Sequence, residues 1–334
     1  MDALELILNS LTCLLGLLLF FVFLLALLSP LEALSWWAGW SKQELRLRMP
    51  EPAEDSSVDT RPDETRPASS YIVYLSGILA FSNEPGHREL ALMEGIAARL
   101  PGDEVVIGDV FPYSVMNNPL NGERTLKWLW NWLKDHQAGI NNPFNVYNLL
   151  ILARNLFQVA VSADPRYGPI NNVGVAAEIA RSLFRHGYPP GSGKPVYLIG
   201  YSGGGQISVG AARYLHAALH APIYVIGLGG VFTGDPGIAS VAHLYQLKGR
   251  RDFILYLGNL LFPGRWPILP HSPWNRARRE GRITEIDPGP VWHFGPRDYF
   301  GRSAKLPDGT SYSDRTADLV VQAILGQLPD RSNP

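Results

Sequence analysis

Ser202 is the residue in this chain best placed by its surroundings to do chemistry. The apolar run Val196-Tyr-Leu-Ile199 ends abruptly in Gly200-Tyr201-Ser202-Gly203-Gly204, and a helical pattern follows at once. A serine between a strand and a helix can act as a nucleophile if the turn is tight, because the turn lifts the hydroxyl clear of the sheet. Such a turn forces the serine into an uncomfortable backbone conformation and needs small neighbours, which Gly200 and Gly204 supply. The helix that follows points its N-terminus at the hydroxyl, where partial positive charge favours a developing oxyanion. The plainer alternative is a Gly-rich connection with no chemical role, and Gly-x-Ser-x-Gly alone is too short a pattern to exclude it. The other glycine clusters are not phosphate loops. "GSGK" at 191–194 precedes a strand instead of opening a helix, and "GLGG" at 227–230 does not complete Gly-x-Gly-x-x-Gly. The lone cysteine, Cys13, excludes an internal disulfide and a cysteine-rich zinc site. No cofactor and no metal is expected. The net charge of −1 gives no footprint for nucleic acid.

The elements that must carry Ser202 alternate. Strands are predicted at Tyr71–Leu75, Glu104–Val110, 195–200, Ile223–Ile226, Val241–Leu247 and Ile283–Ile286. Helices are predicted over Arg88–Leu100, Val173–Arg185, Gly203–Leu219 and Thr316–Leu328. Short apolar strands separated by helices imply an α/β fold: a mostly parallel sheet with helices on both faces. In such sheets ligands bind beyond the carboxyl ends of the strands. Two stretches interrupt the alternation. Residues 116–169 hold Trp128, Trp130 and Trp132, and residues 253–273 are apolar and proline-rich. Both inserts could cover the top of the sheet or simply extend the core.

The first segment stands apart. Leu4 to Leu28 is mostly apolar, with Glu5 as its only charge, and from Leu6 onward is long enough to cross roughly 30 Å of hydrocarbon. A secretory signal would want a basic start and a shorter apolar core, whereas this chain begins Met1-Asp2-Ala3-Leu4-Glu5. An uncleaved transmembrane helix over 4–28 is therefore expected. An interfacial segment over 29–49 follows, carrying Trp36, Trp37 and Trp40 and then Lys42, Arg46 and Arg48. That asymmetry puts the rest of the chain in the cytoplasm as a single-pass membrane protein. Residues 50–70 hold almost no apolar groups and read as a disordered linker.

The order of these elements around "GYSGGG" resembles the α/β-hydrolase fold over residues 71–330, without that family's usual first two strands. The resemblance implies a chain order of serine, acid and histidine. The acid it implies is Asp252, after the strand Val241–Leu247 and the loop Lys-Gly-Arg-Arg, although Asp252 could also be a surface residue beside Arg250 and Arg251. Asp235, after the preceding strand, is the runner-up. The implied histidine is His293 in "PGPVWHFGPRDYFG", with His271 as its rival. The oxyanion hole would use the backbone N–H of Gly203 and that of Ile78, in the loop "YLSGILAF". Many members carry His-Gly where this chain has Ser76-Gly77.

The function these features imply is a serine hydrolase acting on a carboxylic ester, lipid-like because of the membrane span and the aromatic inserts. Arg276, Arg278, Arg279 and Arg282 could meet anionic head groups or form a solvated face. Two other classes stay open. One is an acyltransferase using the same three residues, and the other is a non-catalytic binding protein on the same scaffold.

Overall fold

A computed structural model describes residues 68–78, 86–112 and 168–328, with single positions at 16 and 20 and a few between 155 and 164. The expected transmembrane helix (apart from Gly16 and Phe20), the interfacial segment, most of the linker and most of the insert at 116–169 lie outside these residues. Among the described residues no helix is long and apolar enough to cross a membrane.

Six strands form one sheet: β1 (Ser70–Leu75), β2 (Glu104–Ile107), β3 (Val196–Tyr201), β4 (Ile223–Leu228), β5 (Val241–Leu247) and β6 (Ile283–Ile286). Their order is β2-β1-β3-β4-β5-β6, and every neighbouring pair is parallel. The sequence produces this because its central strands are apolar on both faces. Along β1, Tyr71, Val73 and Leu75 enter one core while Ile72 and Tyr74 enter the other. Helices cover both sides, as a parallel sheet requires. The first core takes α2 (Gly168–Arg185) and α3 (Gly203–Leu219), and the second takes α1 (His87–Ala97) and α6 (Tyr312–Ile324). Between them in sequence come α4 (Phe253–Leu261) and the short α5 (Pro273–Arg279). The chain runs outward from β1 to β2 and then crosses back to β3 on the other side of β1. The loops after β1 and β3 therefore diverge from adjacent strands, which opens a crevice at their carboxyl ends.

Several boundaries differ from those expected. The linker was expected to run to residue 70, but Ser70 is already buried in β1, paired in register with Glu104. Ser69 N–H donates to Asp103 O, and the Lys194 ammonium donates to Ala68 O. Serine carries no apolar signal, so the ladder begins before the hydrophobic run does. β2 stops at Ile107, three residues early. Helix α6 starts at Tyr312, four residues early, because the Ser311 hydroxyl caps it by accepting from Asp314 N–H at 3.0 Å. The stretch at 253–273 is mostly ordered structure: α4, a 3₁₀ turn at Pro263–Arg265 and a loop into α5.

Candidate active site

The turn between β3 and α3 holds Ser202 at φ 52°, ψ −121°, left-handed backbone that a non-glycine residue rarely adopts. Such strain costs about 1–3 kcal/mol and persists only where the surroundings over-determine it. Here they do. Ser202 N–H donates to Leu228 O at 3.1 Å, and its carbonyl accepts from both Val231 N–H (2.9 Å) and Gly205 N–H (3.1 Å). The small neighbours are obligatory. A Cβ on Gly200 would lie 2.6 Å from the Gly204 carbonyl, and one on Gly204 would lie 2.6 Å from Leu75 O.

The loop after β6 brings His293 onto this turn. His293 Nε2 lies 2.9 Å from Ser202 Oγ, and Nδ1 lies 2.9 and 2.8 Å from the two carboxylate oxygens of Asp252. All three side chains are buried, with residue exposures of 5% for Ser202, 1% for His293 and 0% for Asp252. A carboxylate only accepts, so Nδ1 carries the proton toward Asp252 and Nε2 is left to accept from the serine O–H. The arrangement can pass the serine proton to the imidazole while the carboxylate stabilises the cation that results.

Residues the sequence reading did not single out hold these groups still. Tyr201 donates its O–H to the His293 carbonyl at 2.6 Å and lies nearly parallel to the imidazole, with ring centroids 5.4 Å apart. Tyr299 donates to Asp252 Oδ2 at 2.9 Å and accepts from Gly249 N–H at 3.0 Å. Burial, and then the negative charge of Asp252, hold the Tyr299 phenol well above its usual range, so it stays a donor. The loop carrying His293 is tied to α1, since Arg88 donates to Asp298 Oδ1 at 2.5 Å and to Gly295 O at 3.0 Å. Burial raises the Asp298 carboxyl, against the pull of Phe300 N–H and Arg88. The sequence signals for these residues were weak: a tyrosine directly before the serine, and "RDYF" shortly after the histidine.

The two expected oxyanion donors belong to segments that flank Ser202 in the fold, the start of α3 and the loop after β1. Gly203 opens the 17-residue helix α3, so its N–H has no intrahelical acceptor. The Gly77–Ile78 turn presses against the site: a Cβ on Gly77 would lie 2.8 Å from the Tyr201 ring and 3.3 Å from Ser202 Cβ. The carbonyl of Ile78 is occupied, accepting from Asn155 Nδ2 at 2.8 Å.

The rivals are elsewhere. Asp235 accepts from Gly237 N–H at 2.6 Å and from Gln206 Nε2 at 3.0 Å, capping the 3₁₀ turn Pro236–Ser240. His271 is exposed in the loop before α5. The four-arginine cluster is split. Arg282 bonds Glu280 and the carbonyls of Ile238 and Val241, and Arg279 bonds the carbonyl of Pro270, which leaves Arg276 and Arg278 at the surface. Among the described residues no group of three or more His, Cys, Asp or Glu could hold a metal ion.

No protein-family model matches this chain, and no curated protein matches it in sequence. Among solved structures it is similar to a "putative cell surface hydrolase" from Lactobacillus plantarum WCFS1. The identity is 11% and the TM-score 0.37, over 80% of this chain and 96% of that one.

Proposed function

We propose that this chain is a serine hydrolase of the α/β-hydrolase type that cleaves a carboxylic ester, lipid-like in its acyl part. One observation carries the reading: a single imidazole lies 2.9 Å from a strained serine hydroxyl and 2.8 Å from a buried carboxylate. The all-parallel sheet, with this serine at the β3–α3 junction, supports the fold assignment. In the proposed reaction His293 Nε2 takes the Ser202 proton while Oγ attacks the ester carbonyl. The N–H groups of Gly203 and Ile78 receive the oxyanion. His293 then gives its proton to the leaving alcohol, which departs and leaves an acyl-serine. Water, activated by the same imidazole, releases the acid and restores the serine. No cofactor or metal takes part in these steps. The lipid-like preference is supported by the apolar run Leu4 to Leu28, read as a single membrane span with the domain on the cytoplasmic side, and by exposed apolar side chains beside the site.

Hydrolysis of a chain-length series of nitrophenyl esters tests the reading. Turnover is expected to rise with acyl length. Ser202→Ala and His293→Ala are each expected to abolish it, and the double variant to cost no more than either single one, because the groups act as a unit. Equal turnover in Ser202→Ala would overturn the assignment. Adding a primary alcohol and analysing products separates hydrolysis from acyl transfer.

A further inference from the structure

Helix α4 wears its apolar stripe on the outside. Phe253, Tyr256, Leu257, Leu260 and Leu261 follow the i, i+3, i+4, i+7, i+8 spacing by which a helix ordinarily meets a core. Yet all five are exposed, Leu260 to 68%. The buried positions of α4 are Leu255 and Gly258, which lack the length and spacing of a full face. The loop beyond adds Ile268, 76% exposed. A patch of this kind on a protein surface marks something that covers it.

Its position ties it to the candidate site. Helix α4 begins one residue after Asp252. A Cβ on Gly258 would lie 3.3 Å from Val231, whose N–H donates to the Ser202 carbonyl. The residues on either side of buried His293, Trp292 and Phe294, are both exposed.

Its charge points to the occupant. Between Asp252 and Glu280 the sequence has no acidic residue and four arginines. Arg251 lies 5.8 Å over the Trp292 ring and Lys248 lies 5.6 Å over the Tyr256 ring, so cations rim the apolar surface. Glu285 pairs with Lys248 and Asp287 with Arg250. We propose that this face lies on an anionic lipid bilayer, α4 sinking its outward stripe among the acyl chains while the basic rim meets the head groups. A second copy fits less well, because pairing two such faces would set like charges against each other. The chain also carries its own bilayer-length apolar run at Leu4 to Leu28. The domain is entered at Ala68, on the edge of the sheet opposite the site. The 18 residues from 50 to 67, read as a linker, reach at most about 65 Å when extended, enough for the site face to turn back to the membrane. The inference deepens the proposed function by naming where the ester is met, and its test needs no turnover.

The test uses the full chain with Cys13→Ser and one new cysteine carrying a polarity-sensitive fluorophore, reconstituted into phosphatidylcholine vesicles with and without phosphatidylglycerol. Leu260→Cys and Ile268→Cys report the face, and Glu94→Cys, exposed on α1, is the control. With phosphatidylglycerol, the fluorophore at 260 and 268 is expected to shift to the blue and to be quenched by brominated acyl chains, severalfold more than at 94. High salt or neutral lipid is expected to weaken the difference. Equal responses at 260, 268 and 94 would overturn the proposal. So would a blue shift without acyl-chain quenching, and if that came with a doubled mass in detergent it would assign the face to a second copy. Quenching in a chain that hydrolyses no ester keeps the docking face and removes the proposed activity, and the converse result does the reverse.

Discussion

Asp235 and Asp252 follow neighbouring strands, β4 and β5, and both are buried at the same edge of the sheet. Their surroundings differ in one respect that matters. The partners of Asp235 are a backbone N–H and the Gln206 amide, neither of which changes charge. Burial raises its carboxyl above the usual range, against the pull of those donors. The partners of Asp252 are a phenol and an imidazole, and the imidazole also reaches a serine hydroxyl. The first carboxylate can only hold a turn together. The second can stabilise a charge that appears during a reaction. Burial alone does not tell them apart; the chemistry of the donor does.

The sharpest way to break this contrast is to remove each charge in turn. Asp252→Asn is expected to lower kcat about 10⁴-fold, because the imidazole loses both its correct tautomer and its partner. Melting should show whether the fold survives. Asp235→Asn is expected to leave kcat near wild type and to lower stability by about 1–2 kcal/mol, since a new amide donor would face the Gln206 amide. Equal losses of activity in the two variants would collapse the distinction.

Between these extremes in activity falls Tyr299→Phe. Loss of one hydrogen bond to the carboxylate is expected to cost roughly tenfold in kcat. It should also leave Asp252 a stronger acceptor, so the acid limb of the pH–rate profile should move to higher pH. A merely structural tyrosine would lower the rate without moving that limb.

The smallest effect concerns a carboxylate remote from the site. The Ser311 hydroxyl and then Arg99 hold Asp314 below its ordinary value of 3.8. A depressed carboxyl stabilises the fold above its unfolded pKa, and that stability is lost as pH falls through the folded value. Asp314 is half exposed, so Asp314→Asn is expected to cost only about 0.5 kcal/mol at pH 7 after solvent screening. The difference from wild type should vanish well below pH 4, as read from urea midpoints.

What the sequence made legible followed from local signals. The central strands are apolar on both faces, and β5 and β6 have the bounds their runs suggested. The strain at Ser202 was legible because it needs glycines at two fixed neighbours, and both are there. The acid and the histidine were located by the order of elements the resemblance implied, not by anything in their own surroundings. That order ranked Asp252 ahead of Asp235 without excluding the latter, because the deciding difference lies in contacts made by distant residues. Tyr299 meets Asp252 from 47 positions away and Arg88 meets Asp298 from 210. No local pattern encodes either contact. The outward stripe of α4 was hidden for another reason: helical spacing says which residues share a face, not whether that face looks inward.

The central claim is that His293 activates Ser202. A fluorophosphonate probe applied to the full chain, with the adduct mapped by mass spectrometry, tests it most directly. The account expects one modified residue, Ser202, with no labelling in Ser202→Ala and sharply slower labelling in His293→Ala. An unmodified Ser202 in the folded protein, with lipid vesicles present and absent, would contradict it. So would labelling that proceeds at the same rate without His293.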